Sequence, residues 1–98
     1  MNKLSIIIPC YNEEKNIDPL FKKIEELLYL DKTLEIIIVE NGSTDNTKKN
    51  ILKSNLAHEG KIIIHEVEEN IGYGHGIMSG VNISNGEYIG WCHADLQT

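Results

Sequence analysis

An apolar run near the end of the chain, Gly86-Glu-Tyr-Ile-Gly-Trp-Cys92, passes through His93 and Ala94 directly into the acid Asp95. A short buried strand followed at once by a carboxylate places that carboxylate at the strand's carboxyl end, the edge of an open α/β sheet where ligands bind. Two other polar stretches follow apolar runs in the same way. Pro9–Glu14 comes after Leu4–Ile8, and Glu40–Asp45 comes after Leu34–Val39. If the strands are parallel, these two loops and His93–Thr98 share one edge of the sheet. Their polar, acidic content against almost purely apolar strands is the contrast expected of a scaffold presenting a site. Asn, Gly, Ser and Asp are also ordinary turn residues, so the second loop taken alone reads equally well as a turn.

The elements that would position these loops alternate along the chain. Leu4–Ile8 is a continuous, mostly β-branched run closed by Pro9, as for a strand buried on both faces. Ile17, Leu20, Phe21, Ile24, Leu27 and Leu28 recur at spacings of three and four, which predicts one apolar stripe on a helix. Asn12 or Asn16 is the expected cap, and Glu13, Glu14 and Asp18 suit the positive end of the helix dipole. Leu34–Val39 is a second buried strand, and Thr44 or Asp45 is expected to cap a second helix running to about Leu56. Lys61–His65 forms the third strand. Glu69–Gly76 reads as a glycine-rich loop, followed by a helix near Ile77–Ile83 that Asn85-Gly86 terminates and by a strand over Tyr88–Cys92. Strands alternating with helices predict βαβ units, right-handed crossovers and a parallel sheet with helices on both faces. No repeat, linker or low-complexity segment marks a boundary inside the chain.

Ninety-eight residues hold one small domain at most, and a doubly covered sheet usually needs more chain, so some apolar surface is expected to stay uncovered. The chain stops three residues after Asp95, and it reads as the front part of a longer protein. A net charge of −6 without any run of Lys or Arg gives no footprint for nucleic acid or an anionic membrane surface. The stretch Leu4–Ile8 is too short for a signal-peptide core, and no run of about twenty apolar residues could span a bilayer. Cys10 and Cys92 are far apart with no C-x-x-C spacing, which favours free thiols in a reduced, cytosolic compartment over a structural disulfide.

Four blocks resemble a known family in order and spacing: Ser5-Ile-Ile-Ile-Pro-Cys-Tyr-Asn-Glu-Glu14, Val39-Glu-Asn-Gly-Ser-Thr-Asp45, Asn70-Ile-Gly-Tyr-Gly74 with Gly80, and Gly86-Glu-Tyr-Ile89 with Ala94-Asp-Leu-Gln97. They look like the amino-terminal half of the family 2 glycosyltransferases, and are most similar to the dolichol- or polyprenyl-phosphate sugar transferases. The resemblance implies a Rossmann-like GT-A fold of α/β class, truncated, with a parallel sheet in order 3-2-1-4. Residues 1–98 would be the amino-terminal, nucleotide-sugar-binding part of a single GT-A domain.

Carried over residue by residue, the resemblance implies that Pro9 and Tyr11 border the nucleotide base and that Glu13 touches the nucleotide. A tyrosine ring suits stacking on a planar base. Where the family usually has an Asp-Asp pair, this chain has Glu40-Asn41. Asn41 keeps an acceptor for a ring N–H of the base through its amide oxygen, without the charge. Val39 would sit beside it. The family's Asp-x-Asp motif reads His93-Ala94-Asp95 here, so the first acid is lost and the last, which resembles the metal ligand, is kept. His93 stands where the lost acid would meet the ribose. Gln97 matches a second, amide ligand of the polyprenyl-phosphate branch. Mg²⁺ or Mn²⁺ takes hard oxygen donors, usually one or two from protein with phosphate and water, which fits Asp95 with Gln97. Tyr73 stands where many relatives carry a cation.

Other readings fit less well. Gly72, Gly74 and Gly76 follow the third strand rather than the first, and Ile77 occupies the last glycine of G-x-G-x-x-G. A zinc site from His75, His93, Cys10, Cys92 and Asp95 has no local ligand pair at the usual spacing. His58 and His65 read as surface or strand-edge residues, and the two cysteines as small apolar groups at neighbouring strand ends.

The function implied is inverting sugar transfer from a UDP- or GDP-sugar, with a divalent ion countering the diphosphate, to a polyprenyl phosphate or glycan acceptor of the cell envelope. The alternative is a nucleotide-binding or interaction module without catalysis, favoured by His93 and Tyr73. The family's general base lies in its second half, so no catalytic residue is assigned within residues 1–98, and they are not expected to turn over substrate alone. The location implied is the cytoplasm, or the cytoplasmic face of the membrane for a full-length protein. Self-association through the uncovered surface is expected.

Overall fold

The computed structural model describes residues 4–67 and 73–94. Strands β1 (Leu4–Cys10), β2 (Leu34–Asn41), β3 (Ile63–Val67) and β4 (Tyr88–Trp91) form one sheet in the order β3-β2-β1-β4. Every pairing is parallel, with Ile7 opposite Ile37 on one side and Trp91 on the other. This is the order that the family resemblance implied, and the parallel pairing is what the alternation of elements predicted. β2 is buried at every position, which is why its middle, Ile36–Val39, is a continuous apolar run rather than an alternating one.

The two faces of the sheet follow from strand alternation. Ile8, Cys10, Ile36 and Ile38 pack with α1 (Ile17–Leu30) through Ile17, Leu20, Phe21 and Ile24, with Ile51 of α2 (Thr47–Lys53), and with Leu56 of α3 (Asn55–His58). Ile7, Ile37 and Val39 face the other way, against Val81 and Ile83 of α4 (Tyr73–Ile83). Helices therefore cover both faces. α4 sits close because position 80 has no side chain: a Cβ built on Gly80 would lie 2.6 Å from Ile7 Cγ2.

β1 runs two residues past its expected end, through Pro9, although proline cannot donate to a ladder. The geometry explains why. Cys92 N donates to Ile7 O at 3.2 Å, so alternate residues of β1 turn their backbone groups toward β4. Pro9 points its missing N–H the same way, beyond Trp91, where β4 has ended.

Three other boundaries differ from expectation for local reasons. The expected single helix to Leu56 is broken at Ser54, whose backbone is extended (φ −66°, ψ 151°) and whose Oγ accepts from Ala57 N at 3.2 Å to cap a separate α3. β3 begins and ends two residues later than expected, in register with Ile37–Asn41. α4 begins at Tyr73, so Gly74 and Gly76, expected in a loop, lie in its first turns. Glycine costs a helix about 1 kcal/mol relative to alanine, a local preference that packing against β2 overrides here.

Candidate functional site

β1 leads outward to β2 and β3 on one side, while β4 returns to the other side of β1. The chain's direction of travel across the sheet thus reverses between β1 and β4. At the carboxyl ends of the strands, such a reversal opens a crevice in which α/β proteins bind ligands.

Loops from three strands meet at that edge. Pro9 is buried at the end of β1, and beyond it Tyr11 is 40% exposed and Glu13 half-buried. Pro9 pairs in register with Val39, and Asn41 closes β2. His93 and Ala94 follow β4, with Ala94 buried and the His93 ring edge-on to Trp91 at 5.2 Å between centroids. Of the residues singled out from the sequence, Pro9, Tyr11, Glu13, Val39, Asn41, His93 and Ala94 therefore share one edge. Asp95 and Gln97 lie outside the described residues, as does the side chain of Tyr73.

Val39 and Asn41 are less accessible than the residues of the first loop. Val39 is fully buried against the α4 side of the sheet. Asn41 is 1% exposed, and the helical backbone at Gly76 rests on it: a Cβ at position 76 would come within 3.0 Å of Asn41 Nδ2.

The first two loops are joined by a set of hydrogen bonds that the sequence did not reveal. Gly42 turns the chain back after β2 with φ 71°, and Glu40 Oε1 accepts from Ser43 N at 2.9 Å. Asn12 itself adopts φ 52°, a left-handed conformation that asparagine tolerates better than most residues. Its N–H donates to Ser43 Oγ at 3.0 Å, and its Oδ1 accepts from Thr44 N at 2.8 Å and from Asp45 N at 3.4 Å. Glu13 N donates to Thr47 Oγ1 at 2.7 Å and Glu14 N to Asp45 Oδ2 at 3.5 Å. Asn12 thus clasps the loops rather than capping α1. Asn16, the other expected cap, occupies the N-cap position but donates its amide to Glu13 Oε2 at 2.7 Å.

Asp45 stands just before the α2 N-cap, and its Oδ1 accepts from both the N–H and the hydroxyl of Thr47. Burial pushes its carboxyl up, but these bonds, with the Glu14 N–H, outweigh burial and hold it below the ordinary carboxylate value. Cys10 behaves oppositely. Burial, reinforced by the negative charges of Glu13 and Glu40 and by Cys92, pushes its thiol up to about 12. It stays protonated at neutral pH and offers no nucleophile. Burial also raises Cys92, and both cysteines are free.

Among the described residues no three His, Cys, Asp or Glu side chains gather as a metal site, and no helix is long and apolar enough to cross a membrane. What the edge offers is an exposed aromatic ring, acids and amides beside the sheet reversal, which suits a polar ligand with a planar ring better than a reaction at a protein nucleophile.

Known proteins resemble this chain in sequence and in fold. A family model described as Glycosyl transferase family 2 matches residues 5–98. The undecaprenyl-phosphate 4-deoxy-4-formamido-L-arabinose transferase of Proteus mirabilis is 33% identical over 98 residues, covering 99% of this chain and 30% of that protein. A mannosyltransferase from Pyrobaculum calidifontis, solved with GDP-Man and Mn²⁺, superposes with a TM-score of 0.83 at 26% identity, covering 95% of this chain and 27% of that one. TarS 1-349 of S. aureus superposes with a TM-score of 0.80 at 27% identity over the same shares of the two chains. The chain therefore spans about 30% of the length of the curated relatives it matches.

Proposed function

The chain belongs to glycosyltransferase family 2 and superposes on GT-A glycosyltransferases, and from that premise we propose that it supplies the nucleotide-sugar site of an inverting sugar transferase. The observation that carries the reading is the meeting of the loops after β1, β2 and β4 at the β1/β4 reversal, where a nucleoside diphosphate has an aromatic ring and polar groups to meet. Residues 1–98 form the amino-terminal part of a single GT-A domain.

In this reading Tyr11, backed by Pro9, stacks on the base, and Glu13 meets the nucleotide. Asn41, with Val39 beside it, takes a ring N–H of the base after a small displacement of the backbone at Gly76. His93 and Ala94 run along the ribose. Asp95 and Gln97 offer a carboxylate and an amide oxygen, a donor set suited to Mg²⁺ or Mn²⁺. When bound, the ion supplies positive charge for the departing diphosphate.

The reaction is a displacement in which an acceptor oxygen bonds to the anomeric carbon while the nucleoside diphosphate leaves with the bonding pair. Inversion follows from attack opposite the leaving group. The residues of this chain bind and orient the donor, and none of them is assigned as the general base. The donor is a UDP- or GDP-sugar, by analogy with the GDP-Man complex of the Pyrobaculum enzyme, and the acceptor is a polyprenyl phosphate or a glycan. Transfer would take place in the cytoplasm or at the cytoplasmic face of the membrane.

Calorimetry with UDP and GDP in the presence of Mn²⁺ tests the reading. Binding of one of them, weakened by Tyr11→Ala by about 0.5 to 1.5 kcal/mol, is expected. A protein that binds neither would sink it. A second reading, a nucleotide-binding module without transfer, is favoured by His93 in place of an acid; nucleotide binding with no sugar transfer by the full-length protein would select it.

A further inference from the structure

The hydrogen bonds between the first two loops stand apart from those that build the sheet. Tyr11 and Glu13 lie on a loop whose side chains are largely solvent-facing, so burial alone does not hold them. Asn41 lies on a rigid strand 30 residues away in sequence, followed by a turn at Gly42. The β1–β2 ladder sets the spacing as far as Cys10 opposite Glu40, and the turn beyond it has to be held by other contacts. Asn12 is placed between Tyr11 and Glu13, and it is the residue whose side chain reaches the second loop. It does so with one backbone donor to Ser43 and one side-chain oxygen that collects the N–H groups of Thr44 and Asp45. Its backbone at that anchor is left-handed, with Tyr11 and Glu13 its chain neighbours.

We infer that Asn12 is the positioning residue of the nucleotide site: its Oδ1 clasps the Thr44 and Asp45 amides and so fixes how the Tyr11–Glu13 turn, beyond the last paired residues of β1 and β2, stands against the end of β2 where a nucleoside diphosphate binds. The inference rests on the nucleotide-sugar reading above. It assigns Asn12 no contact with the ligand. Two properties of the side chain are at work, an acceptor oxygen and tolerance of φ 52°, and they can be separated. Glycine keeps the backbone freedom and loses the acceptor, whereas aspartate keeps both.

The experiment compares wild type, Asn12→Gly and Asn12→Asp, reading UDP and GDP binding with Mn²⁺ by calorimetry, thermal midpoint, and amide exchange at Thr44 and Asp45 by NMR. Asn12→Gly is expected to speed exchange at both amides and to weaken nucleotide binding about tenfold, the loss expected for one hydrogen bond's worth of ordering, with little change in thermal midpoint. Asn12→Asp is expected to restore protection at both amides and to recover binding to within about threefold. An Asn12→Gly protein that binds nucleotide like wild type while its Thr44 and Asp45 amides exchange freely would overturn the inference alone. So would one in which those amides stay protected. Wild-type protein that binds neither nucleotide would overturn the nucleotide-sugar reading itself.

Discussion

The Ser5 hydroxyl donates to Glu35 Oε1 across 2.6 Å, joining the two central strands at the end of the sheet opposite the crevice. Both residues are buried, and the tie extends further: Asn85 N donates to the same oxygen at 2.8 Å, and Gly86 N donates to Ser5 Oγ at 2.8 Å. The chain leaving α4 is thus fastened to β1 and β2 just before it becomes β4, the strand that carries His93 and Ala94 to the site. A Cβ at Gly86 would lie 2.6 Å from Ser5 N, so this closeness depends on glycine.

The first prediction concerns acid stability. Burial pushes the Glu35 carboxyl up, but hydrogen bonds from Ser5 and Asn85 outweigh it and hold it below the ordinary value of 4.5. A carboxyl lowered in the folded state contributes stability that is complete above the unfolded value and is lost as pH falls through the lower folded one. Glu35→Gln should therefore be less stable by about 1 to 3 kcal/mol at neutral pH, and its stability should depend less steeply on pH below about 4.5. Urea unfolding at a series of pH values reads both; parallel curves for the two proteins would count against the tie.

The second prediction tests the seat of α4. Ile7 is fully buried and β-branched, so it has no free rotamer with which to escape a new methyl at position 80. Gly80→Ala should cost about 1 to 3 kcal/mol, or several degrees in thermal midpoint for a chain of this size. A partner without the γ carbons should relieve it: the pair Gly80→Ala with Ile7→Ala ought to lose less than the two single changes added together. Strict additivity would mean that the helix moves away instead.

The sheet was legible because burial writes itself locally. Ile36, Ile37 and Ile38 need apolar neighbours on both faces whatever the rest of the chain does, and the stripe of Ile17, Leu20, Phe21 and Ile24 has the period of a helix lying on that sheet. The meeting of polar loops at one edge followed from the alternation of elements. The ties that hold the loops did not, because Asn12 meets Thr44 from 32 residues away and Glu35 meets Asn85 from 50. Local chemistry marked Asn12 as a cap and left Glu35 as one acid in an apolar strand. Gly74 and Gly76 misled for the same reason: their local preference is for a loop, and only the Asn41 amide beneath Gly76 shows why a helix there needs to be bare. The roles given to Tyr11, Glu13, Asn41 and His93 came from resemblance, since an aromatic, two polar groups and a histidine have no spacing that names a nucleotide.

The third prediction concerns the ion. If Asp95 and Gln97 hold a divalent cation against the diphosphate, nucleotide binding should fall on chelation with EDTA and return with Mn²⁺ or Mg²⁺. Asp95→Ala should weaken binding in Mn²⁺ by about 1.5 to 3 kcal/mol, the range for a hydrogen bond to a charged group. Equal affinity of the two proteins in Mn²⁺ would remove Asp95 from the site.

The last prediction concerns the strand that brings His93 to the crevice. Among the described residues β4 pairs with β1 alone, and apart from Gly90 its residues are large, apolar and open: Tyr88 is 65% exposed, Ile89 48% and Trp91 48%. An open backbone edge beside such a patch is a template for another strand. Natural edges commonly carry lysine, which a second copy cannot bury without stranding its charge, and β4 has none. These 98 residues should therefore sediment at micromolar concentration as dimers or larger species. Ile89→Lys should shift them toward monomer without lowering the thermal midpoint, because position 89 packs against little and Lys can keep its amine in water. A wild-type chain that sediments as a monomer would mean that the edge of β4 is shielded in solution, and a variant that associates as wild type does would place the contact elsewhere, with the exposed Tyr29 and Leu30 at the end of α1 the next surface to change.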